Sequence, residues 1–504
     1  VNRSLLFLPA LPLFALYAPR AEAGETGNIR GHVEDDGGLA VPGADVILSG
    51  SELAGELATT TDDNGDFRFI NLPPGTHSLR VVKPGLTPIT LRVTVRLDET
   101  AFAPIVLKVA GGAEVIVEQV LPVIDTTRSA VSTELSDEAI ANLPIGRSYQ
   151  EAIVMIPGVY GRVNTQEGGP SDGNPSVRGE GQYGNNYMLD GISTRDPATK
   201  TFGSNVNFDA ISDIQVYTDG APAEFGQATG MLVNVVTKDG GDEHHGSAVY
   251  QFGTNAGSGT YGVIDFDDID EDGVIAEEVE REKRSFKSHE IGLSAGGPIV
   301  KEKLWYFAAL DFSTGSTQYE GMNVKYAPTA LDGFAKVTFF ATPSVTLQAQ
   351  FSGSFTDIDN YMTSPLFSEE AQATYHSDDY APMVSVTWRP AAGSVLELEG
   401  LYQNGHINVL PASGDTLAPQ IVDIDSGRYT GNYDSFDINQ RGRLGATLKF
   451  TQLLDNLLGD HKFKAGAEFW QVTDSRELIY TGESAATAGY LDCGSDTPDD
   501  PSDD

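Results

Sequence analysis

"SVTLQAQFSGSFT", Ser344–Thr356, sets Val345, Leu347, Ala349, Phe351 and Phe355 on one side of an extended chain and Thr346, Gln348, Gln350, Ser352 and Ser354 on the other. A period of two is that of a β-strand, so the stretch is a strand with one apolar and one polar face. "RLGATLKFT" repeats it with Leu444, Ala446, Leu448 and Phe450 against Arg443, Thr447 and Lys449, and "SVLELEGLY" sets Leu396 and Leu398 against Glu397 and Glu399. A soluble sandwich alternates in the same way, so the pattern alone leaves the environment open. The connections decide it. Strands are expected near 246–252, 287–297, 303–312, 331–340, 345–356, 381–390, 394–404, 441–451 and 461–473. "PIVKE", "ATPS" and "AAG" join them tightly and "QLLDNLLGD" modestly, while 253–286, 313–330, 357–380 and 405–440 are long and polar. Short turns at one end and long loops at the other, between strands of about ten residues, are the pattern of an outer-membrane barrel. A sandwich has no reason to keep its long loops on one side.

Upstream the texture changes twice. From Gly27 to Lys108, "NIRGHVED", "ADVILSG", "GDFRFINLPPGTHSLRVVKPG" and "AFAPIVLKV" are short β-rich runs separated by Pro42-Gly43, Asn64-Gly65, Pro74-Gly75 and Pro84-Gly85. Pro presets φ and Gly or Asn accepts positive φ, so these are turns within a small all-β sandwich. Beyond a hinge at Gly111-Gly112, "SYQEAIVMIPGV" has Ser148 and Glu151 at capping-box spacing before a short helix that Pro157 must end. Strand-like "NPSVRG", "NNYMLDG", "SDIQVYTDG" and "MLVNVVTK" then make a compact α+β unit.

Composition limits the partners. The 504 residues leave room for two to four domains, and 32 Lys+Arg against 72 Asp+Glu give a net charge of −40. Such a charge repels phosphate backbones and argues against nucleic acid. The N-terminus, "VNRSLLFLPALPLFALYAPRAEAGE", carries Arg3, an apolar run from Leu5 to Ala18 and a small-x-small site at Ala21-Glu22-Ala23, which reads as a secretory signal. The run contains Pro9 and Pro12 and falls short of the roughly 20 residues a spanning helix needs. No later window is apolar enough for a membrane helix, so a membrane role must use strands or surface contact. The sole cysteine, Cys493, lies in the polar, acidic "LDCGSDTPDDPSDD", which closes no structural element, so the chain reads as a fragment.

Two resemblances extend this reading. "VPGADVIL…TTTDDNGDFRFINLPPGTHSLRV" resembles the carboxypeptidase regulatory-like domain, a prealbumin-type sandwich similar in shape to starch-binding modules. "AEVIVEQ", "LSDEAIANLPIGRSYQEAIVMIPGV", "NPSVRGEGQYGNNYMLDGIS", "AISDIQVYTDGAPAEFGQATGMLVNVVTKDGGDEHHGSAVYQF" and "LSAGGPIVKEKLWYFAALDF" together resemble a TonB-dependent outer-membrane receptor of the Oar-like type. The implied fold is mainly β: a signal peptide at 1–23, a prealbumin-like β-sandwich at 26–109, an α+β plug at 113–243, and at 246–504 the first strands of a transmembrane antiparallel barrel. Receptors of this kind close with about 22 strands, so nine leave the barrel incomplete. The implied function is TonB-energised uptake of a ligand too large for porins, with the plug gating the barrel. The partners would be TonB with its inner-membrane energising complex, outer-membrane lipid and an unknown extracellular ligand. The location would be the outer membrane of a Gram-negative bacterium, sandwich and plug facing the periplasm. The rival is a surface binding or adhesion protein that uses the sandwich and acidic loops without transport.

Four groups of residues stand out. In the receptor family the Arg-Gly and Leu-Asp-Gly segments are plug strands, so Arg178, Gly179, Asp190 and Gly191 would pin the plug inside the barrel. A catalytic Asp190 would need an acid, base or metal partner that the neighbouring sequence does not offer. Glu114, Val115, Ile116, Val117 and Glu118 form an extended run resembling the TonB box, which pairs with its partner as an added strand; an ordinary first plug strand fits equally. "DFDDIDEDGVIAEEVE" places Asp268, Asp270 and Asp272 at positions 1, 3 and 5 of an EF-hand-like calcium loop, with the Val274 carbonyl at position 7. Position 12 is Val279, so the bidentate ligand would come from Glu278 or Glu280; a solvated acidic loop is the alternative. No cofactor is required, and calcium is the one candidate. Neither H-E-x-x-H nor a His-x-x-Glu helix occurs, and His32, His77 and His244-His245 make no zinc set, so no enzyme is expected.

Overall fold

The β-rich runs and Pro-Gly turns of the N-terminal region build two small sheets. In the computed structural model, which describes most of the chain from Gly27 to Gly482, the segments 1–26, 109–114, 118–130, 162–174, 197–201, 221–227, 256–284, 455–460 and 483–504, with a few shorter stretches, lie outside the described residues. The signal segment, Cys493 and the candidate calcium loop fall there. The sandwich consists of β1 (Gly27–Asp35), β2 (Asp45–Ser49), β3 (Leu57–Thr60), β4 (Asp66–Leu72), β5 (Gly75–Val82), β6 (Ile89–Val95), β7 (Thr100–Leu107) and β8 (Val115–Val117). The sheets run β4-β1-β7 and β3-β2-β5-β6-β8. Ile29, Val46, Leu79, Val93 and Ile105 fill the space between them. Gly65 has φ +79°, and a Cβ there would lie 2.5 Å from the Val33 carbonyl, so this Asn-Gly turn admits only glycine. The last strand, β8, joins the sandwich rather than the plug: it runs parallel to β6, with Val115 opposite Ile89 and Val117 opposite Leu91.

The plug comprises β9 (Val131–Ser136), α1 (Asp137–Asn142), α2 (Tyr149–Val154), β10 (Val159–Tyr160), β11 (Ser176–Val177), β12 (Asn186–Leu189), β13 (Ile192–Ser193), β14 (Ile211–Asp219) and β15 (Leu232–Thr237). Its main sheet is ordered β13-β12-β15-β14-β9. Ser136 caps α1, its Oγ accepting from the Ala139 N–H at 3.4 Å. The box expected at α2 is not made: the Ser148 hydroxyl donates to Gln150 Oε1 at 2.5 Å and leaves the helix amides alone. Gln150 is itself tied to Asn205 Oδ1 at 3.3 Å, which holds its amide within reach of that hydroxyl.

The alternating region forms β16 (His245–Thr254), β17 (Ser285–Val300), β18 (Leu304–Gln318), β19 (Ala327–Thr342), β20 (Val345–Asp359), β21 (Ala373–Ala391), β22 (Ser394–Pro411), a small hairpin of β23 (Ile421–Val422) and β24 (Tyr429–Thr430), β25 (Ser435–Leu454) and β26 (His461–Tyr480). Nine of them pair in chain order in one sheet, β16 to β22 and then β25 and β26, the hairpin standing apart. The tight turns fall where expected, and the strands run further than expected on the long-loop side, β25 and β26 reaching 20 residues each.

The polarity of this sheet is inverted. Leu310, Val384, Leu398 and Leu448 are 46%, 59%, 50% and 43% exposed, whereas Lys336, Glu399, Arg443 and Lys449 are 5–8% exposed. Water-soluble sheets bury the other face. The polar face is covered by the plug, whose residues touch eight consecutive strands from β17 to β26, so the sheet curves round it. The apolar face comes within about 5 Å of the height of an outer-membrane apolar band. Along β21 it extends from Trp388 to Tyr380, about 26 Å of strand at 3.3 Å per residue and about 20 Å of height at a tilt near 40°, against about 25 Å for an outer-membrane apolar band.

Candidate functional site

The site begins at the turn between β12 and β13. Asp190 and Gly191 both have positive φ, +46° and +74°, which is the backbone of a type I′ hairpin turn and the reason Asp-Gly stands there. The turn brings the Asp190 carboxylate back onto β15: Oδ1 accepts from the Thr237 N–H at 2.8 Å and Oδ2 from the Thr237 hydroxyl at 2.6 Å. Asn234 closes the other side, its Oδ1 accepting from the Gly191 N–H at 3.0 Å. Asp190 therefore locks the plug sheet.

It also faces the wall. Lys336 of β19 points inward and places its Nζ 3.8 Å from Asp190 Oδ2, 3.4 Å from Asp239 Oδ2 and 3.2 Å from Thr237 Oγ1. Beside it the Thr338 hydroxyl donates to Asp239 Oδ1 at 2.6 Å, and the Trp305 indole N–H donates to Asp242 at 2.8 Å. Arg178 does something different. Also at positive φ, it ion-pairs with Asp219 of the plug itself at an exposed position, so its expected role as a pin to the barrel is corrected to a tie within the plug. Its turn, with Gly179 at φ +87°, directs the side chain along the plug surface.

A second anchor lies at the other end of the plug. Arg147, just before α2, meets three carboxylates: Asp209 of the plug at 2.5 Å, Glu290 of β17 at 2.5 Å and Asp311 of β18 at 3.1 Å. Burial opposes its charge, but the hydrogen bond and field of Asp209, with Asp311 and Glu290, outweigh that, and its pKa is raised. Gly292 makes the room; a Cβ there would lie 2.5 Å from Arg147 Nη2 and 2.6 Å from Asp209 Oδ2. On the far wall Arg441 pairs with Asp196 at 2.8 Å, and Arg443 donates to Ser193 Oγ at 3.3 Å and the Arg195 carbonyl at 3.2 Å. Arg443 also lies 3.7 Å from the centre of the Trp470 ring. Tyr149 and Tyr187 lie in the plug core, where burial pushes both phenols up. Arg147, Lys336, Arg441 and the plug carboxylates Asp196, Asp209 and Asp239 were not singled out in the sequence, whereas Asp190 was. Arg443 was visible there as a charged residue on a polar face, but without its partners.

Above the anchors, on the long-loop side, is a cavity of about 930 Å³ lined by plug residues such as Arg147 and Gln150 and by inward residues of β17 to β26. Of the candidate TonB-box residues, Val115–Val117 form the terminal strand of the sandwich sheet, whereas Glu114 and Glu118 lie outside the described residues. The calcium candidates Asp268, Asp270, Asp272, Val274, Glu278 and Glu280 also lie outside them. Among the described residues no cluster of three His, Cys, Asp or Glu side chains is placed to hold a metal ion.

Comparison with known proteins accounts for both halves of this arrangement. Residues 28–108 match the carboxypeptidase regulatory-like domain family, and residues 123–231 match the TonB-dependent receptor plug domain. The chain carries a regulatory-like domain ahead of a TonB-dependent receptor plug domain. Over 292 residues it is 29% identical to the TonB-dependent transporter Oar of Myxococcus xanthus, covering 55% of this chain and 26% of that protein. The chain thus spans about a quarter of the length of that relative. A ferric citrate transporter in its unliganded form superposes with a TM-score of 0.52 at 13% identity, covering 71% of this chain and 50% of the other. The ferripyoverdine receptor of Pseudomonas aeruginosa gives 0.50 at 12%, covering 69% and 43%. At such identities the likeness is one of fold: a plug within a barrel wall.

Proposed function

We propose that the whole protein is an outer-membrane transporter in which TonB, energised from the inner membrane, rearranges the plug to admit a ligand too large for porins. The observation that carries this is the plug–wall contact. Lys336, Arg147 and Arg441 join plug to wall through charge-assisted bonds, which a pull on the plug can exchange for water, alongside an apolar contact of Ala381, Met383 and Leu401 with the plug core. The inverted sheet supports an outer-membrane location; in this reading its short turns face the periplasm, and the sandwich lies beside them, Ile70 of β4 packing with Val395 and Leu453. Adhesion without transport has no support in the relatives described above, which are transporters and receptors.

TonB would be met at Glu114–Glu118. Among the described residues no strand lies beyond β8, so one row of its backbone donors and acceptors is available for β-augmentation. The test uses the full-length protein in a Gram-negative host. It should fractionate with the outer membrane as a heat-modifiable band and bind a soluble TonB C-terminal domain. Ile116→Pro, which removes a donor and blocks strand pairing, should abolish that binding. Recovery as a soluble periplasmic protein would overturn the transporter reading, and unchanged TonB affinity in the variant would move the box elsewhere.

A further inference from the structure

We propose that the lumen of this receptor takes a positively charged organic ligand, of which a basic peptide is the simplest example. The inference rests on the reading of the chain as a receptor whose ligand enters from the long-loop side. Its starting point is a single row around the inner wall. The strand registers set Asp311 opposite Asp332, Asp332 opposite Ser354, Ser354 opposite Asp379, Asp379 opposite Gly405, Gly405 opposite Arg441, and Arg441 opposite Asp474. All of these residues line the cavity, and at its β18–β19 end the row meets the plug, Asp311 at Arg147 and the Asp332 carbonyl at Asn207. Four carboxylates and one guanidinium therefore lie along one row of cross-strand neighbours, which climbs the wall with the strand tilt, and Asp311 and Asp332 sit directly opposite each other, a cross-strand pair that is unfavourable without a counter-charge.

Three of the guanidiniums that line the cavity are already held by carboxylates. Arg147 is divided among Asp209, Glu290 and Asp311, Arg441 is taken by Asp196 and Arg476 by Asp437. The buried atoms of cavity-lining residues that stand without a hydrogen-bond partner among the described residues include two acceptors, Asp332 Oδ1 and Gln403 Oε1, the latter on a side chain only 4% exposed, and two donors, the Nε atoms of Arg441 and Arg443. Both donors belong to guanidiniums that already bond plug oxygens through Nη1, so the two acceptors are what a ligand has left to meet. A buried acceptor facing a ligand cavity calls for a donor, and an ammonium with three N–H groups or a guanidinium with five is the donor that the neighbouring carboxylates also attract. An anionic chelate would set oxygen against oxygen.

The spacing selects the size of the ligand. Asp332 and Asp379 are two strands apart, about 10 Å at 4.8 Å per strand, too far to converge on one metal ion at 2.3–2.6 Å. A chain with amino groups spread along it can reach both, and the cavity of about 930 Å³ lies in the range that holds such a ligand.

The test is calorimetric titration of the full-length receptor in detergent with pentalysine and with pentaglutamate at about 0.15 M salt, where exposed charges more than about 8 Å apart are largely screened. Pentalysine should bind and pentaglutamate should not. Asp332→Asn and Asp379→Asn, near-isosteric and neutral, should each weaken pentalysine at least tenfold, with the heat-modifiable band retained as proof of folding. Asp357→Asn, whose side chain is 72% exposed on the outer face, should leave the affinity unchanged and so separates the lumen from the general attraction of an acidic protein. Equal binding of pentaglutamate, or equal effects of the inner and outer substitutions, would overturn the proposal. TonB binding measured in the same preparation keeps the two readings apart. If it is intact while pentalysine fails, only the ligand class falls; if it is lost while pentalysine binds, the transporter reading falls.

Discussion

Replacing Lys336 with Met should loosen the plug while sparing the barrel. The ammonium is 5% exposed and faces Asp190, itself 8% exposed, and Asp239, whose side chain is 26% exposed. Removing one partner of a buried ion pair costs about 3–5 kcal/mol, because the remaining charge stays buried. Asp239 can hydrate, and Asp190 keeps both bonds from Thr237, so the lower end applies: about 3 kcal/mol, or roughly a hundredfold in the opening equilibrium. The Thr237 amide donates to Asp190 and reports the lock directly. In hydrogen exchange on the full-length protein in outer membranes, the amides of β15 should exchange about a hundredfold faster, while those of β20 and β21 should not change. Adding Asp190→Asn should restore part of the protection by removing the stranded charge. Unchanged exchange at Thr237 in Lys336→Met would show that the plug is held elsewhere and refute the reasoning.

Two further substitutions probe the backbone and the wall. Gly191→Ala places a Cβ at φ +74°, which should cost about 1–2 kcal/mol and accelerate exchange at the β12–β13 turn; no change would mean the turn is not held in this form. Gly445→Ala sets a Cβ into the Trp470 ring, which must leave its place over Arg443, so the folded band should convert at a lower temperature, reflecting about 1–3 kcal/mol of overpacking.

Much of the wall was legible in the sequence because an apolar residue at every second position is a local signal. The strands end later than the pattern does for a physical reason. Beyond the apolar band the outward residues become Asp357, His376, Asp378, His406 and Gln440, bonded to one another across the strands, and the alternation disappears although the ladder continues. The pairing of β8 with β6 could not be seen, since a three-residue strand carries no mark of its neighbour. The anchors were hidden in a similar way. Lys336 lies 99 residues from Thr237 and Arg443 lies 250 from Ser193, so their polar character shows in sequence and their partners do not. The Asp190-Gly191 turn was readable because its conformation is a local demand on two residue types.

The central claim is that this sheet faces lipid with its apolar side and the plug with its polar side. Spin labels placed one at a time from position 443 to position 450 of the full-length protein in outer membranes test it directly. Collision with oxygen, which concentrates in lipid, should be high at Leu444, Ala446, Leu448 and Phe450 and low at Arg443, Gly445, Thr447 and Lys449, alternating with a period of two. An opposite phase, or high accessibility to a water-soluble nickel chelate at Leu444 and Leu448, would contradict it.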